Sequence, residues 1–246
     1  MKAINISNRT AALTAGISIV IMAVVAGFVV GFVQNNLIIP GDAQTTAENI
    51  KASESLFRMG ILGWIMILIT DILAAWGLYE FFKPVNDGLS RITGWLRMVY
   101  AAILGVAINW QLMILLNING ADYLSIWETS QSNAQILFYF NAFLETWSFG
   151  LIIFGGHLFG LGYLALKSGF IPKIWGILLL LAAVGYVVIH LGNVLIADFH
   201  EYQSTLEAIF MAPMVLGEVG FGVWLIIKGG RRNKRLVNGP NLKIKN

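Results

Sequence analysis

The feature that most constrains this fold is a series of six apolar segments, each about 20 residues or longer. They lie at about 10–33, 57–82, 92–116, 136–166, 174–196 and 205–227. Such a length spans the hydrocarbon layer of a bilayer as a helix, and lipid offers the backbone no other hydrogen-bond partner. The predicted fold class is therefore all-α: an integral membrane bundle of six transmembrane helices, forming a single domain over residues 1–230. The first segment is interpreted as a retained helix, because it lacks a clear signal-peptide cleavage site.

Composition agrees with a membrane protein and excludes several classes of site. Of 246 residues, 57% are hydrophobic and only 12% are charged, too few to cover a soluble domain of this length. The absence of cysteine excludes disulfides, thiolate zinc sites, iron–sulfur clusters and a cysteine nucleophile. No G-x-S-x-G elbow, P-loop or dinucleotide fingerprint occurs.

The distribution of basic residues predicts the orientation. With both termini in the cytoplasm, thirteen lysines and arginines lie inside, and only Lys51 and Arg58 lie in the outer loops. The positive-inside rule therefore favours an N-in/C-in topology in a bacterial cytoplasmic (inner) membrane. Residues 231–246 are interpreted as a basic cytoplasmic tail that contacts anionic lipid headgroups rather than nucleic acid. The long outer loop, residues 34–56, is predicted to contain a short surface helix that Asp42 caps.

Small residues and one proline predict local helix geometry. Residues four apart favour close helix packing at Ala23, Gly27 and Gly31 in the first segment, and at Gly156 and Gly160 in the fourth. The proline at position 213 is expected to kink the last segment.

Four stretches of the chain resemble a family of bacterial membrane proteins known as domain of unknown function 4386. They are "LFRMGI" (56–61), "LYEFFKPVNDGLSRITGWLRMVYAAI" (78–103), "GGHLFGLGYLALKSGFIPKIWGILLLLAAVGYVV" (155–188) and "GEVGFGVWLIIKG" (217–229). The resemblance implies a polytopic inner-membrane protein and no particular reaction. The polar residues that match the family's recurring pattern are Arg58, Arg97, His157 and Glu218.

Ionisable side chains inside the apolar segments are the candidate functional residues, since such groups are costly in lipid. A rise of about 1.5 Å per residue places four of them at one depth near the midplane. These are His157, Glu218, Asp71 and the tip of Arg97. A second layer is predicted near the outer surface, formed by Glu145, His190, Asn109 and Asn193.

Three functions fit these residues. The leading hypothesis is a non-enzymatic membrane protein whose midplane pocket binds or passes a small apolar or weakly acidic molecule. Arg97 would hold an anion or pair with Glu218, and His157 would exchange protons. The second is a metal-dependent hydrolase, with zinc held by His157, Asp71 and Glu218, although these are poor zinc ligands as a set. The third is a structural or sensory partner whose salt bridge, from Arg97 to Glu218 or Asp71, only orders helices.

Overall fold

The computed structural model of the chain describes residues 7–120 and 128–230, apart from the side chain of His200. Within these residues, six helices are long and apolar enough to cross a membrane. Five are α1 (Asn8–Leu37), α3 (Glu54–Phe82), α4 (Asp87–Ile118), α5 (Thr129–Lys167) and α6 (Lys173–Leu195). The sixth, α7, consists of three consecutive segments, His200–Val215, Leu216–Gly220 and Phe221–Ile227. The all-α prediction is confirmed, and the protein is a multi-pass integral membrane protein.

Most of the helices extend beyond the apolar segments from which they were predicted. The largest difference is in α5, which begins at Thr129 instead of about residue 136. A capping box starts this helix: the Glu128 side chain accepts from the backbone of Gln131, whose side chain accepts from the Glu128 backbone. Polar residues can thus continue a helix past the lipid layer. The predicted tail, residues 231–246, lies outside the described residues.

The spanning helices form a ring in the order in which they occur in the chain. Each of them packs on the spanning helix before it and the one after it, and α1 packs on α7 to close the ring. One end of the bundle holds the turns at Lys83 and Ser168, the start of α1 at Arg9 and the end of α7 at Lys228. We call it the basic end. The short helix α2 (Ala43–Ala52) packs on α5 at the opposite end.

Glycines allow the ring helices to approach closely, but not at all the predicted positions. A Cβ at Gly77 of α3 would lie 2.8 Å from the Ala15 nitrogen and 2.9 Å from the Ala11 oxygen of α1. The expected contact at Gly160 is present, since a Cβ there would collide with the Thr93 hydroxyl. The prediction for α1 is wrong: Gly27 and Gly31 are exposed, with nothing within 4 Å of a Cβ. Gly27 and Gly31 have the four-residue spacing typical of close helix packing, but both lie where α1 faces out of the bundle.

The short helix α2 begins as the sequence predicted. The Asp42 side chain accepts hydrogen bonds from the Thr45 backbone N–H at 2.9 Å and from the Thr45 hydroxyl at 2.6 Å. These bonds hold the pKa of the Asp42 carboxyl below its ordinary value, because they favour its charged form. The buried residues Thr46, Ala47 and Ile50 then fix α2 on the bundle.

Arg9 joins the first helix to the last at the basic end. Its guanidinium donates to the carbonyl oxygens of Leu225 at 3.0 Å, Gly229 at 2.8 Å and Ile226. These carbonyls belong to the C-terminal end of α7, where the backbone oxygens have no partner within the helix and a cation is stabilising. Arg9 is one of the thirteen basic residues from which the orientation is predicted, and no sequence pattern predicts its contact with α7.

Replacing Arg9 by alanine is expected to lower the free energy of unfolding by about 1.5 kcal/mol, since half-buried hydrogen bonds from a charged donor are lost. Denaturant titration in mixed micelles measures the change. Arg58→Ala is the matched control, because Arg58 is half exposed and pairs only with Glu54 of its own helix. Equal effects of the two substitutions would show that Arg9 does not hold α7.

Candidate functional site

A buried ion pair joins α3 to α4 in the middle of the bundle. Nη2 of Arg97 lies 2.6 Å from Oδ1 of Asp71, and neither side chain is more than 3% exposed. The pair neutralises two charges that would each be costly in an apolar surrounding. Of the two partners considered for Arg97, Asp71 is therefore the one that it contacts.

His157 of α5 lies directly against this pair. Its Nε2 is 3.2 Å from Nη1 of Arg97, and its Nδ1 is 2.8 Å from the carbonyl oxygen of Thr93. Guanidinium groups only donate and carbonyls only accept, so Nδ1 carries the proton and Nε2 accepts. The imidazole is thus neutral and fully buried, with both nitrogens engaged. The sequence-based hypothesis required His157 to exchange protons with a ligand. In this arrangement both ring nitrogens already have protein partners, so neither is available for that exchange.

Glu218 does not pair with Arg97 and contacts α6 instead. The Tyr186 hydroxyl donates to Oε1 of Glu218 at 2.8 Å. Glu218 belongs to the π-helical segment Leu216–Gly220, which begins three residues after Pro213. The proline has no N–H to continue the helical ladder, which is a common setting for a local change in helix geometry. Apolar patterning predicts the depth of Glu218 but not its position around the helix, which directs it to Tyr186 instead of Arg97.

The second predicted layer comes together in part. His190 Nδ1 lies 2.9 Å from the Ser148 hydroxyl oxygen, and the Asn193 amide donates to Oε2 of Glu145 at 3.1 Å. The His190 ring stacks on Tyr186, with 5.9 Å between ring centroids, which links this layer to Glu218. Asn109 is not part of it: its side chain is exposed and contacts the Gly105 carbonyl of its own helix at 3.5 Å.

A cavity of about 790 Å³ connects the two layers. Residues from all six spanning helices line it, and the ion pair of Asp71 and Arg97 lies at its deep end. Six of the eight predicted site residues line this cavity: Asp71, Arg97, Glu145, His190, Asn193 and Glu218. His157, behind Arg97, and Asn109 do not line it.

The cavity wall also contains residues that the sequence analysis did not select. The polar ones are Tyr100, Ser148, Tyr186, Gln203 and Glu207. Helical periodicity predicts two of them, because residues three or four apart lie on the same face of a helix. Tyr100 lies three residues after Arg97, and Tyr186 lies four before His190. The cavity reaches the surface of the bundle beside α7, where its lining residues Met211 and Val215 are 60% and 53% exposed.

The ligand set of the hydrolase alternative does not assemble. Among the side chains that the structure describes, which do not include that of His200, no three His, Asp or Glu residues are grouped so that they could share a metal ion. Asp71 and His157 both contact Arg97, while Glu218 contacts Tyr186. The structure therefore offers no geometric basis for zinc bound by His157, Asp71 and Glu218.

Comparison with known proteins identifies the family. An "Uncharacterized protein" of Archaeoglobus fulgidus is 32% identical over 180 residues, which cover 73% of this chain and 89% of the relative. Its source shows that similar chains are not confined to bacteria. No solved structure gives a significant match. The family model described as "Domain of unknown function (DUF4386)" matches residues 14–229, and the chain therefore belongs to this family.

Proposed function

We propose that this protein binds or passes a small, mainly apolar molecule through the cavity between its six spanning helices. The cavity itself is the observation that carries this proposal. Its volume of about 790 Å³ falls within the range of about 300–1,000 Å³ typical of small-molecule sites. Such sites have mostly apolar walls with a few convergent polar groups, and this cavity has both.

The lining explains why an apolar molecule fits. Much of the wall is apolar, and it includes Ile19, Met22, Ala23 and Ala26 of α1 and Met211, Met214, Val215 and Val219 of the neighbouring helix α7. The few polar side chains in the wall would fix the orientation of a bound molecule. The weakly acidic ligand of the sequence analysis would need a cation, and Arg97 is already bound to Asp71 and His157.

The ion pair has a structural role in this proposal. Asp71, Arg97 and His157 join three adjacent helices in a layer where apolar surfaces alone select partners poorly. This incorporates the third hypothesis of the sequence analysis, in which the salt bridge orders the bundle. The hydrolase hypothesis has no supporting observation in the described residues.

The proposal includes the orientation that the basic residues predict. With both termini in the cytoplasm, the cavity opens toward the outer side of a prokaryotic cytoplasmic membrane, because its exposed polar residues lie at the end opposite the basic end. The basic tail then faces the anionic headgroups of the inner leaflet.

A binding measurement with a blocked cavity tests this function. The probe is N-phenylnaphthylamine, a neutral apolar dye whose fluorescence rises in apolar sites, added to the full-length protein in lipid nanodiscs. Ala26→Trp places an indole into the cavity and should weaken saturable binding at least about tenfold. Met211→Trp, on the neighbouring helix α7, should have the same effect.

The matched control is Val24→Trp, because Val24 lies on the same helix, is 69% exposed and does not line the cavity. This variant should bind the dye as the wild type does. If the wild type shows no saturable binding beyond that of both blocked variants, the proposed function is wrong.

A further inference from the structure

We infer that the molecule bound in this cavity carries a positive charge: it is a lipophilic amine or another organic cation with an apolar body. The inference rests on the proposed function and adds the charge of the ligand to it. Its basis is an imbalance of charge along the cavity wall.

Carboxylates outnumber cations among the lining residues. Four acidic side chains line the cavity, Asp71, Glu145, Glu207 and Glu218, whereas Arg97 is the one lysine or arginine among the lining residues that the structure describes. Arg97 is already neutralised by Asp71 at 2.6 Å. Three carboxylates therefore remain without an opposite charge.

Each of these three carboxylates has a neutral donor instead of a cation. Tyr186 donates to Glu218 at 2.8 Å, Asn193 to Glu145 at 3.1 Å and Gln203 to Glu207 at 2.8 Å. Among the described side chains, none of the three has a lysine or arginine nitrogen within 4.0 Å. A carboxylate has about four lone-pair sites, so one donor leaves room for a ligand N–H.

The carboxylates are spaced along the path that a ligand would take. Glu207 and Glu218 are eleven residues apart on α7, which corresponds to about 16 Å along the helix. Glu207 and Glu145 are exposed, near the open part of the cavity, and Glu218 is half-buried near the ion pair. An incoming cation therefore meets acidic side chains at the entrance and again at depth, and these groups attract a cation and repel an anion when they are ionised.

Aromatic rings in the cavity wall suit the same kind of ligand. The rings of Tyr186 and His190 are stacked, and Tyr186 contacts Glu218. The indole N–H of Trp147 donates to the Tyr100 hydroxyl at 3.2 Å. All four rings line the cavity. Aromatic faces attract organic cations, and the attraction is larger where water is excluded.

The test uses two probes of the same shape and opposite charge. Radiolabelled tetraphenylphosphonium is equilibrated with the full-length protein in nanodiscs, and tetraphenylborate is the competing anion. Binding to the Ala26→Trp variant is subtracted, because both ions also partition into lipid. The cation should bind saturably, and the anion should compete at least about tenfold less well than unlabelled cation.

The Glu218→Gln variant should weaken cation binding about tenfold while retaining the binding of N-phenylnaphthylamine. Glu54→Gln is the matched control, since Glu54 pairs with Arg58 on the surface and should leave both unchanged. If the dye binds but the anion competes as well as the cation, or Glu218→Gln has no effect on the cation, the charge inference is wrong and the proposed function stands. If neither dye nor cation binds in a cavity-dependent way, both are wrong.

Discussion

Replacing Arg97 by alanine is expected to lower the free energy of unfolding by about 3–5 kcal/mol, because it leaves the carboxylate of Asp71 buried without a partner. Asp71 is only 1% exposed, so water compensates its carboxylate poorly once the guanidinium is removed. His157 also loses the donor to its Nε2. Denaturant titration in mixed micelles measures the change.

The double variant Asp71→Ala, Arg97→Ala separates the contribution of the ion pair to stability from the contribution of side-chain packing. Removal of both charges takes away the uncompensated carboxylate, so the double variant should be more stable than the sum of the two single effects predicts. Additive effects would show that the two side chains contribute independently. The Arg58→Ala variant again serves as control, since it removes an exposed arginine from the same bundle at little cost.

A second large effect is expected for Gly77→Val, which should cost about 3 kcal/mol, at the upper end of the range for overpacked interiors. A Cβ at Gly77 would lie within 2.9 Å of two backbone atoms of α1, and a backbone cannot move aside as a side chain can. The helices α1 and α3 must therefore separate, with loss of contacts along both. The same denaturant titration measures it.

Gly27→Val is the matched control for this substitution, because it adds the same atoms to the face of α1 that has open space. Its effect should be close to zero. Comparable destabilisation by the two variants would indicate that the cost arises from valine in a helix and not from the contact between α1 and α3.

The features that could be predicted from the sequence are those that the bilayer imposes along its normal. Helix number and approximate bounds follow from the length of apolar segments, and depth follows from the rise per residue. That reasoning places Asp71, Arg97 and His157 in one layer, and in the structure Arg97 contacts both other side chains.

Position around a helix was harder to predict, because it depends on which neighbours the helix meets. Asn109 has the depth of the outer layer but points away from the cavity, and Gly27 has the right spacing on the wrong face. The choice of Asp71 over Glu218 as the partner of Arg97 likewise depends on the order of helices in the ring. Tertiary contacts supply this information, and no local pattern in the sequence contains it.

The order of the ring has a consequence for synthesis at the membrane. The side chains of Asp71, Arg97 and His157 lie on three consecutive spanning helices, so the charges of Asp71 and Arg97 can be paired, with His157 in contact, while the rest of the chain is still on the ribosome. The wall that α7 contributes to the cavity is made last, and Arg9 can bind its carbonyls only then. A nascent chain that ends at Leu195 is therefore expected to be an open trough facing lipid, with the pair of Asp71 and Arg97 already formed and the cavity still incomplete.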